Sequence, residues 1–210
     1  MGVAENLVSL LKEIPSSVRL VAVSKFKPEA DIMAAYAAGQ RRFGENRPLE
    51  MEAKAKALPA DIEWHFIGHL QTNKIKNVIP YAALIESVDS LHLLEAISAA
   101  AVARGLVVDC LLEVHVAAEE SKTGFTPDEA VEVAARAADF PGVRLRGIMA
   151  MATNTSDEAR VRADFRAAHE VLVRTGLTEL SMGMSGDWRI AVEEGATIIR
   201  IGSAIFGERY

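Results

Sequence analysis

Residues 18–25 read Val18-Arg19-Leu20-Val21-Ala22-Val23-Ser24-Lys25, a run rich in β-branched and apolar residues. Such a run predicts a buried strand over Val18–Lys25. Seven further runs of the same kind follow, each separated from the next by a segment with helical periodicity: Arg41–Glu45, Trp64–Gly68, Leu84–Val88, Val107–Val116, Val143–Met151, Glu179–Met182 and Thr197–Ile201. Strands that alternate with helices pair in parallel through right-handed crossovers. The chain therefore predicts an α/β fold, a single (β/α)8 TIM barrel domain over residues 1–210, with an open doubly wound sheet as the alternative.

Helix start motifs support the alternation. Thr126 and Glu129 have the spacing of a capping box, and Thr155 and Glu158 have the same spacing before a second helical stripe. An extra helix over Glu5–Glu13 is expected before the first strand.

Composition excludes several classes of protein. The net charge of −6 argues against a nucleic-acid partner, which needs a concentrated basic face. A local group of lysines that includes Lys54 and Lys56 is interpreted as solvated helix surface. No apolar run reaches the length of about 20 residues that a membrane span requires, and the N-terminus lacks the basic start of a signal peptide. With Cys110 as its one cysteine, expected to be an inert buried thiol, the chain fits a reducing cytoplasm.

Lys25 ends the first predicted strand and is the first candidate for chemistry. Side chains alternate along a strand, so Val21, Val23 and Lys25 share one face. If that face lines the barrel, Lys25 lies at the mouth where active sites of this fold are found, and desolvation favours an uncharged, nucleophilic amine. A lysine whose amine simply reaches solvent from the strand end is the simpler interpretation of this segment alone.

Two glycine-serine turns follow the last two strands. Ser185 and Gly186 come after the seventh strand, and Gly202 and Ser203 come after the eighth. Small residues let backbone N–H groups approach an anion, and phosphate sites of these barrels commonly follow strands seven and eight. Each turn taken singly is also compatible with an ordinary tight turn.

The histidines do not indicate a metal. His65 and His69 flank an extended run, so they would lie roughly 13 Å apart at the rise of a strand, too far to share one ion. His65 is expected either to line the barrel mouth or to be a hydrogen-bonded structural residue.

Six motifs along the chain resemble those of the pyridoxal phosphate homeostasis proteins. They are Ala22-Val23-Ser24-Lys25, Phe43-Gly44-Glu45-Asn46, Trp64-His65-Phe66-Ile67-Gly68-His69-Leu70-Gln71-Thr72-Asn73-Lys74, Glu120-Ser121-Lys122-Thr123-Gly124, Leu180-Ser181-Met182-Gly183-Met184-Ser185 and Arg200-Ile201-Gly202-Ser203-Ala204-Ile205-Phe206-Gly207. They cover nearly the whole chain in the order of the family. The family resembles the barrel domain of alanine racemase standing alone.

The resemblance implies pyridoxal 5′-phosphate, a vitamin B6 cofactor, as ligand. It implies that Lys25 holds the cofactor as an internal aldimine, a Schiff base, and that Arg200 faces the pyridine nitrogen. It also implies a phosphate site at Ser185, Gly186, Gly202 and Ser203, and a pocket wall that includes Asn46 and His65. Arg47 and Pro48 stand where the family usually has an aromatic residue, so the neighbouring pocket rim departs from the family pattern.

A non-catalytic carrier that buffers or delivers the cofactor is the expected function. An arginine at the pyridine nitrogen disfavours its protonation and weakens the ring as an electron sink. Related racemases add a second domain, for which no sequence remains after the last motif. The alternatives are a weak amino-acid racemase or related enzyme, and a cofactor-free aldolase that uses Lys25 with Glu45 or Asp89 as acid-base group. Expected partners are amino acids as exchanging amines and, transiently, apo-enzymes; the resemblance implies a monomer.

Overall fold

Eight parallel strands close into a barrel in the computed structural model, which describes residues 2–117 and 123–207. The strands are β1 (Arg19–Val23), β2 (Arg42–Glu45), β3 (Glu63–Phe66), β4 (Ala82–Val88), β5 (Val108–Glu113), β6 (Val143–Met149), β7 (Glu179–Ser181) and β8 (Ile198–Ile201). Each strand pairs in parallel with the next, and β8 pairs with β1, with Val21 opposite Arg200. The predicted barrel is confirmed, and each of the eight predicted strands overlaps an observed one.

Helices cover the outside of the barrel. They are α1 (Val3–Leu11), α2 (Glu29–Ala37), α3 (Pro48–Ala57), α4 (Ile75–Val78), α5 (Leu91–Val102), α6 (Pro127–Ala135), α7 (Glu158–Thr175), α8 (Trp188–Glu193) and α9 (Ser203–Phe206), with single 3-10 turns at Thr72–Lys74 and Ala137–Asp139. In the part of the chain that the structure describes, no helix is both long and apolar enough to cross a bilayer.

The buried residues form two separate groups. The larger fills the space between the barrel and its helices, as an α/β barrel requires. The smaller lies inside the barrel and consists of Val21, Leu84, Leu111, Met149 and Ile198. Because Val21 belongs to the inner group, the face that Val21 shares with Val23 and Lys25 points into the barrel, as the alternation predicts.

The start of α7 differs from the prediction. Thr126 and Glu129 do form the capping box of α6, but the cap of α7 is Asp157, whose Oδ1 accepts hydrogen bonds from the backbone N–H groups of Ala159 at 3.0 Å and Arg160 at 3.4 Å. Thr155 instead accepts from the N–H of Asp157. The capping box predicted at Thr155 is therefore wrong, because a carboxylate directly before the helix takes the position of the cap.

Two predicted ends also shift. The fifth strand was predicted to reach Val116 but ends at Glu113, and Val114 then forms an isolated bridge with Phe125. The N-terminal helix begins at Val3 rather than Glu5, because the Glu5 carboxylate accepts the N–H of Gly2 and caps an earlier turn.

Candidate functional site

A cavity of about 320 Å³ opens at the carboxyl ends of the barrel strands. Its lining consists of Val23, Lys25, Lys27, Met184, Ser185, Gly186, Arg200, Gly202, Ser203 and Gly207. Six of the eight residues predicted for the site meet here, although they come from the two ends of the chain: Lys25, Ser185, Gly186, Arg200, Gly202 and Ser203. The volume suits a small ligand.

Lys25 lies two residues beyond the end of β1 and is half-buried in the cavity wall. The chain turns sharply after it, since Phe26 has a left-handed backbone with φ of 63°. A second lysine of the lining, Lys27, points its Nζ to the carbonyl oxygens of Phe206 at 3.0 Å and Gly207 at 3.3 Å. The Lys27 amine therefore holds the end of α9, while Lys25 occupies the wall of the cavity.

Backbone N–H groups in two turns at the cavity are suited to binding an anion. Over residues 2–117 and 123–207, the backbone N–H groups of Ser185, Gly186, Ser203 and Ala204 have no protein acceptor. The turn that carries Ser185 depends on Gly183, whose φ of 93° and 2.6 Å approach to the Ala191 Cβ leave no room for a side chain. Unsatisfied N–H groups beside small residues bind phosphate oxygens well.

Arg200 projects from β8 into the barrel and is almost fully buried. Its Nη1 donates to the Ser181 hydroxyl at 2.6 Å, and its Nη2 donates to the carbonyl oxygen of Ala150 at 3.2 Å. The Glu86 carboxylate lies 3.7 Å from Nη1. Arg200 thus lines the cavity and is also paired with a carboxylate inside the barrel.

His65 does not line this cavity. Its Nδ1 lies 2.5 Å from Glu86 Oε1, and the other carboxylate oxygen accepts from the Ser181 hydroxyl at 2.5 Å. The chain of contacts His65–Glu86–Ser181–Arg200 therefore runs through the barrel interior beneath the cavity. Burial opposes ionisation of Glu86, but the hydrogen bond and charge of His65, with the charge of Arg200, outweigh it and lower the pKa of this carboxyl. This position agrees with the prediction of a hydrogen-bonded structural histidine, and a contact of His65 with a ligand stays a prediction.

Asn46 also lies outside the cavity lining. It follows β2, with its backbone packed tightly against Gly68, where an added Cβ would lie 2.4 Å from the Asn46 carbonyl oxygen. Its side-chain Oδ1 is buried and has no hydrogen-bond partner in the described structure. A buried acceptor without a donor is uncommon in native proteins and is consistent with a ligand contact at this edge of the mouth.

Three features of the site were not predicted from the sequence. Glu86 and Ser181 lie in predicted strands, but the periodicity of a strand does not reveal that two polar side chains meet across a barrel. Lys54 was interpreted as solvated, and that is wrong: it is 6% exposed, with its Nζ between Glu45 and Glu50. The Glu120-Ser121-Lys122 part of the fourth motif lies outside the described residues.

The remaining predicted features are accounted for as follows. His69 Nδ1 lies 2.8 Å from Asp89 Oδ2, so His69 and His65 contact different carboxylates. In residues 2–117 and 123–207 no group of three or more His, Cys, Asp or Glu side chains is arranged to hold a metal ion. Cys110 is fully buried on β5, and burial raises the pKa of its thiol well above the ordinary value, as expected of an inert thiol.

A barrel of this topology with a lysine at its mouth is compatible with the class of alanine racemase N-terminal domains. The model of that family, "Alanine racemase, N-terminal domain", matches residues 2–210. The alanine racemase of E. faecalis shares the fold, with a TM-score of 0.76 at 18% identity, and this chain covers 58% of its length.

Closer relatives narrow the class. A pyridoxal phosphate homeostasis protein of Aquifex aeolicus is 39% identical over 100% of this chain and 99% of its own length, and one of Pseudomonas aeruginosa is 38% identical over 99% and 96%. The solved structure of PipY from Synechococcus elongatus with PLP bound has a TM-score of 0.88 at 39% identity and covers 98% of this chain and 100% of PipY. The chain belongs to the family of pyridoxal phosphate homeostasis proteins.

Proposed function

We propose that this protein binds pyridoxal 5′-phosphate covalently through Lys25, without catalysing a reaction, and takes part in intracellular homeostasis of the cofactor by buffering or delivering it. One observation carries the proposal: a single cavity combines the Lys25 side chain, two turns with unsatisfied N–H groups and the Arg200 guanidinium. The family membership and the PLP-bound PipY structure support the same ligand.

Each group of residues has a distinct role in this proposal. The cofactor supplies an aldehyde, whose carbon bonds to the Lys25 nitrogen with loss of water. The phosphate is held by Ser185, Gly186, Gly202 and Ser203, through backbone N–H groups and the serine hydroxyls. Arg200 faces the pyridine nitrogen, where a permanent positive charge disfavours protonation of the ring. Asn46 completes the surroundings of the bound cofactor, and His65 contributes indirectly through its contact with Glu86.

The same arrangement favours a carrier over an enzyme. An unprotonated pyridine ring is a poor sink for the electrons of a carbanion, so proton abstraction from a bound amino acid is slow. A racemase needs a catalytic base such as a tyrosine, and two tyrosines of the described residues have other contacts: the Tyr36 hydroxyl donates to Asp61, and the Tyr81 ring lies near Lys56. Tyr210 lies outside the described residues.

The carrier proposal extends to partners and setting. Exchange of the Lys25 bond with an incoming amine, such as that of an amino acid, would release the cofactor, and transient contact with apo-enzymes would deliver it. We propose a monomer that acts in the cytoplasm, and the single cysteine of the sequence, Cys110, supports this setting because it allows no internal disulfide.

The test is borohydride reduction of the protein after incubation with pyridoxal phosphate, with peptide mass analysis across residues 20–27. A phosphopyridoxyl adduct on Lys25 is expected, and Lys25→Arg should abolish it while Lys27→Arg should not. An adduct confined to Lys27, or none at all, would overturn the covalent assignment. Assays of alanine racemisation with the loaded protein should show no turnover; turnover that Lys25→Arg abolishes would favour the enzyme alternative.

A further inference from the structure

A buried cluster of charges holds both neighbours of Lys25 in the chain. Lys54 on α3 donates from its Nζ to the carbonyl oxygen of Ser24 at 2.9 Å, to Glu45 Oε1 at 2.7 Å and to Glu50 Oε1 at 2.7 Å. An ammonium group has three protons, so these contacts use its full donor capacity. Lys54 is therefore a fixed structural junction and not a surface lysine.

The carboxylates of Glu45 and Glu50 contact the residues that precede and follow Lys25 in the sequence. Glu45 accepts the Ser24 hydroxyl at 2.6 Å, so Ser24 is tied to the cluster through both its side chain and its carbonyl group. Glu50 accepts the backbone N–H of Phe26 at 2.7 Å. One ammonium group thus links the residue before Lys25 and the residue after it.

The backbone that the cluster holds is strained. Phe26 has φ of 63°, a left-handed conformation that costs a residue with a side chain on the order of 1 kcal/mol. The Phe26 side chain is 49% exposed, so its burial does not supply the compensation. Two other contacts compensate for the strained backbone. The Phe26 N–H donates a charge-assisted hydrogen bond to Glu50, and the Arg47 guanidinium lies 4.4 Å from the centre of the Phe26 ring.

Burying this cluster is costly for the protein. Glu45 is fully buried, and burial raises the pKa of its carboxyl despite the contacts with Lys54 and Ser24. Apolar residues of similar volume commonly stabilise a fold as well as a buried ion pair does. A cluster that joins α3 to the turn around a reactive lysine therefore suggests a requirement beyond stability.

We propose that Lys54, with Glu45 and Glu50, is a positioning centre that fixes the turn Ser24–Phe26 and so directs the Lys25 amine into the cavity. The identity of the aldehyde that Lys25 meets rests on the proposed function, whereas the positioning is a property of the unliganded protein. Displacement of a reacting group by about 1 Å can slow a reaction by about 100-fold, so a relaxed turn has a measurable chemical effect.

The experiment compares Lys54→Met with Lys56→Met. Lys56 lies two residues further along α3 and forms an exposed pair with Glu52, so its substitution controls for the loss of a lysine on the same helix. Two readouts are made without the cofactor: hydrogen exchange of the Phe26 amide by NMR, and the rate of reductive methylation of Lys25 by formaldehyde, resolved by peptide mass analysis. A third is the rate of borohydride-trapped modification of Lys25 by pyridoxal phosphate.

Lys54→Met should speed exchange of the Phe26 amide at least about tenfold, and should slow both reductive methylation of Lys25 and its modification by pyridoxal phosphate, the latter by about 10- to 100-fold. Lys56→Met should match the wild type in all three readouts. A folded Lys54→Met protein with wild-type Phe26 exchange and wild-type Lys25 reactivity would overturn the proposal and leave Lys54 a role in stability alone.

Glu50→Gln keeps the inference testable if Lys54→Met does not fold. It weakens the acceptor of the Phe26 N–H but leaves Lys54 paired with Glu45, and the same changes, smaller in size, are expected. If wild-type Lys25 reacts with formaldehyde but not with pyridoxal phosphate, the proposed function fails, while Phe26 exchange and methylation still decide the positioning.

Discussion

Replacing Glu86 by glutamine should destabilise the barrel strongly, although the two side chains have nearly the same shape. Glu86 is fully buried and its two carboxylate oxygens receive His65 Nδ1 and the Ser181 hydroxyl, both at 2.5 Å, with Arg200 Nη1 at 3.7 Å. A glutamine amide places an NH2 group where one of those oxygens accepts a hydrogen bond. It also leaves Arg200 without the negative charge that balances it inside the barrel.

The size of the effect follows from these contacts. Removing one partner of a buried ion pair costs about 3–5 kcal/mol of the free energy of unfolding. For 210 residues, an unfolding entropy of about 2.1 cal/mol/K per residue converts this loss into a fall in Tm of about 7–11 °C. Glu63→Gln is the matched control, because Glu63 forms a half-exposed pair with Arg42 at 2.8 Å and should cost less than about 1 kcal/mol.

The assay is thermal unfolding followed by circular dichroism, over a range of pH. Because the pKa of Glu86 is lowered in the folded state, its contribution is fully present above the ordinary carboxyl pKa and is lost as the pH falls through the lowered folded value. The gap in Tm between wild type and Glu86→Gln should therefore be constant near neutral pH and narrow in acid. A gap below about 2 °C at neutral pH, or one that widens in acid, would refute the assignment of Glu86 as the buried counter-charge.

Three further outcomes are expected. Gly147→Ala should lower the free energy of unfolding by at least about 1–3 kcal/mol, since its Cβ would lie 1.8 Å from the carbonyl oxygen of Glu179. The control Gly186→Ala, where an added Cβ meets open space, should leave Tm within about 1 °C of the wild type. Equal Tm values for the two variants would contradict the close contact between Gly147 and Glu179. The Cys110 thiol should resist a disulfide reagent until the protein is unfolded by urea, and rapid reaction in native buffer would show that β5 is accessible. Arg200→Gln should weaken retention of pyridoxal phosphate at least about tenfold or shift its absorbance, and an unchanged affinity and spectrum would count against its place at the ring.

The fold could be predicted because strand and helix periodicities alternate along the whole chain. Eight runs such as Val18–Lys25, each followed by a helical stripe, leave few topologies other than a barrel. The rule that sites lie at the carboxyl ends of barrel strands then selected Lys25 and the two glycine-serine turns, and the family resemblance added Arg200. Those residues line one cavity because closure of the barrel brings β1 beside β8.

Partners of side chains could not be predicted in the same way. Lys54 looks like any lysine of a charged helix, and only the packing of α3 against β2 places its ammonium group between two carboxylates. The sequence left two roles open for His65, at the barrel mouth or as a hydrogen-bonded structural residue, and its contact with Glu86 became visible only in the structure. The alternation of strand and helix patterns along the sequence predicts the barrel. Contacts between polar side chains depend on three-dimensional distances, which these patterns do not reveal.

The residues that line the cavity are held in place by polar contacts with residues that do not line it. Lys54 holds the turn at Lys25, the Asp187 carboxylate accepts the Met184 N–H at the start of the next turn, and Lys27 holds the end of α9. Ser181 and Glu86 hold Arg200 in the same way. Because these hydrogen bonds are made within the protein, ligand binding does not carry the free-energy cost of ordering the site. The unsatisfied N–H groups therefore stay available at the cavity. Under the proposed function, many weak contacts and one reversible covalent bond would let such a preorganised site store a reactive aldehyde and release it to another amine.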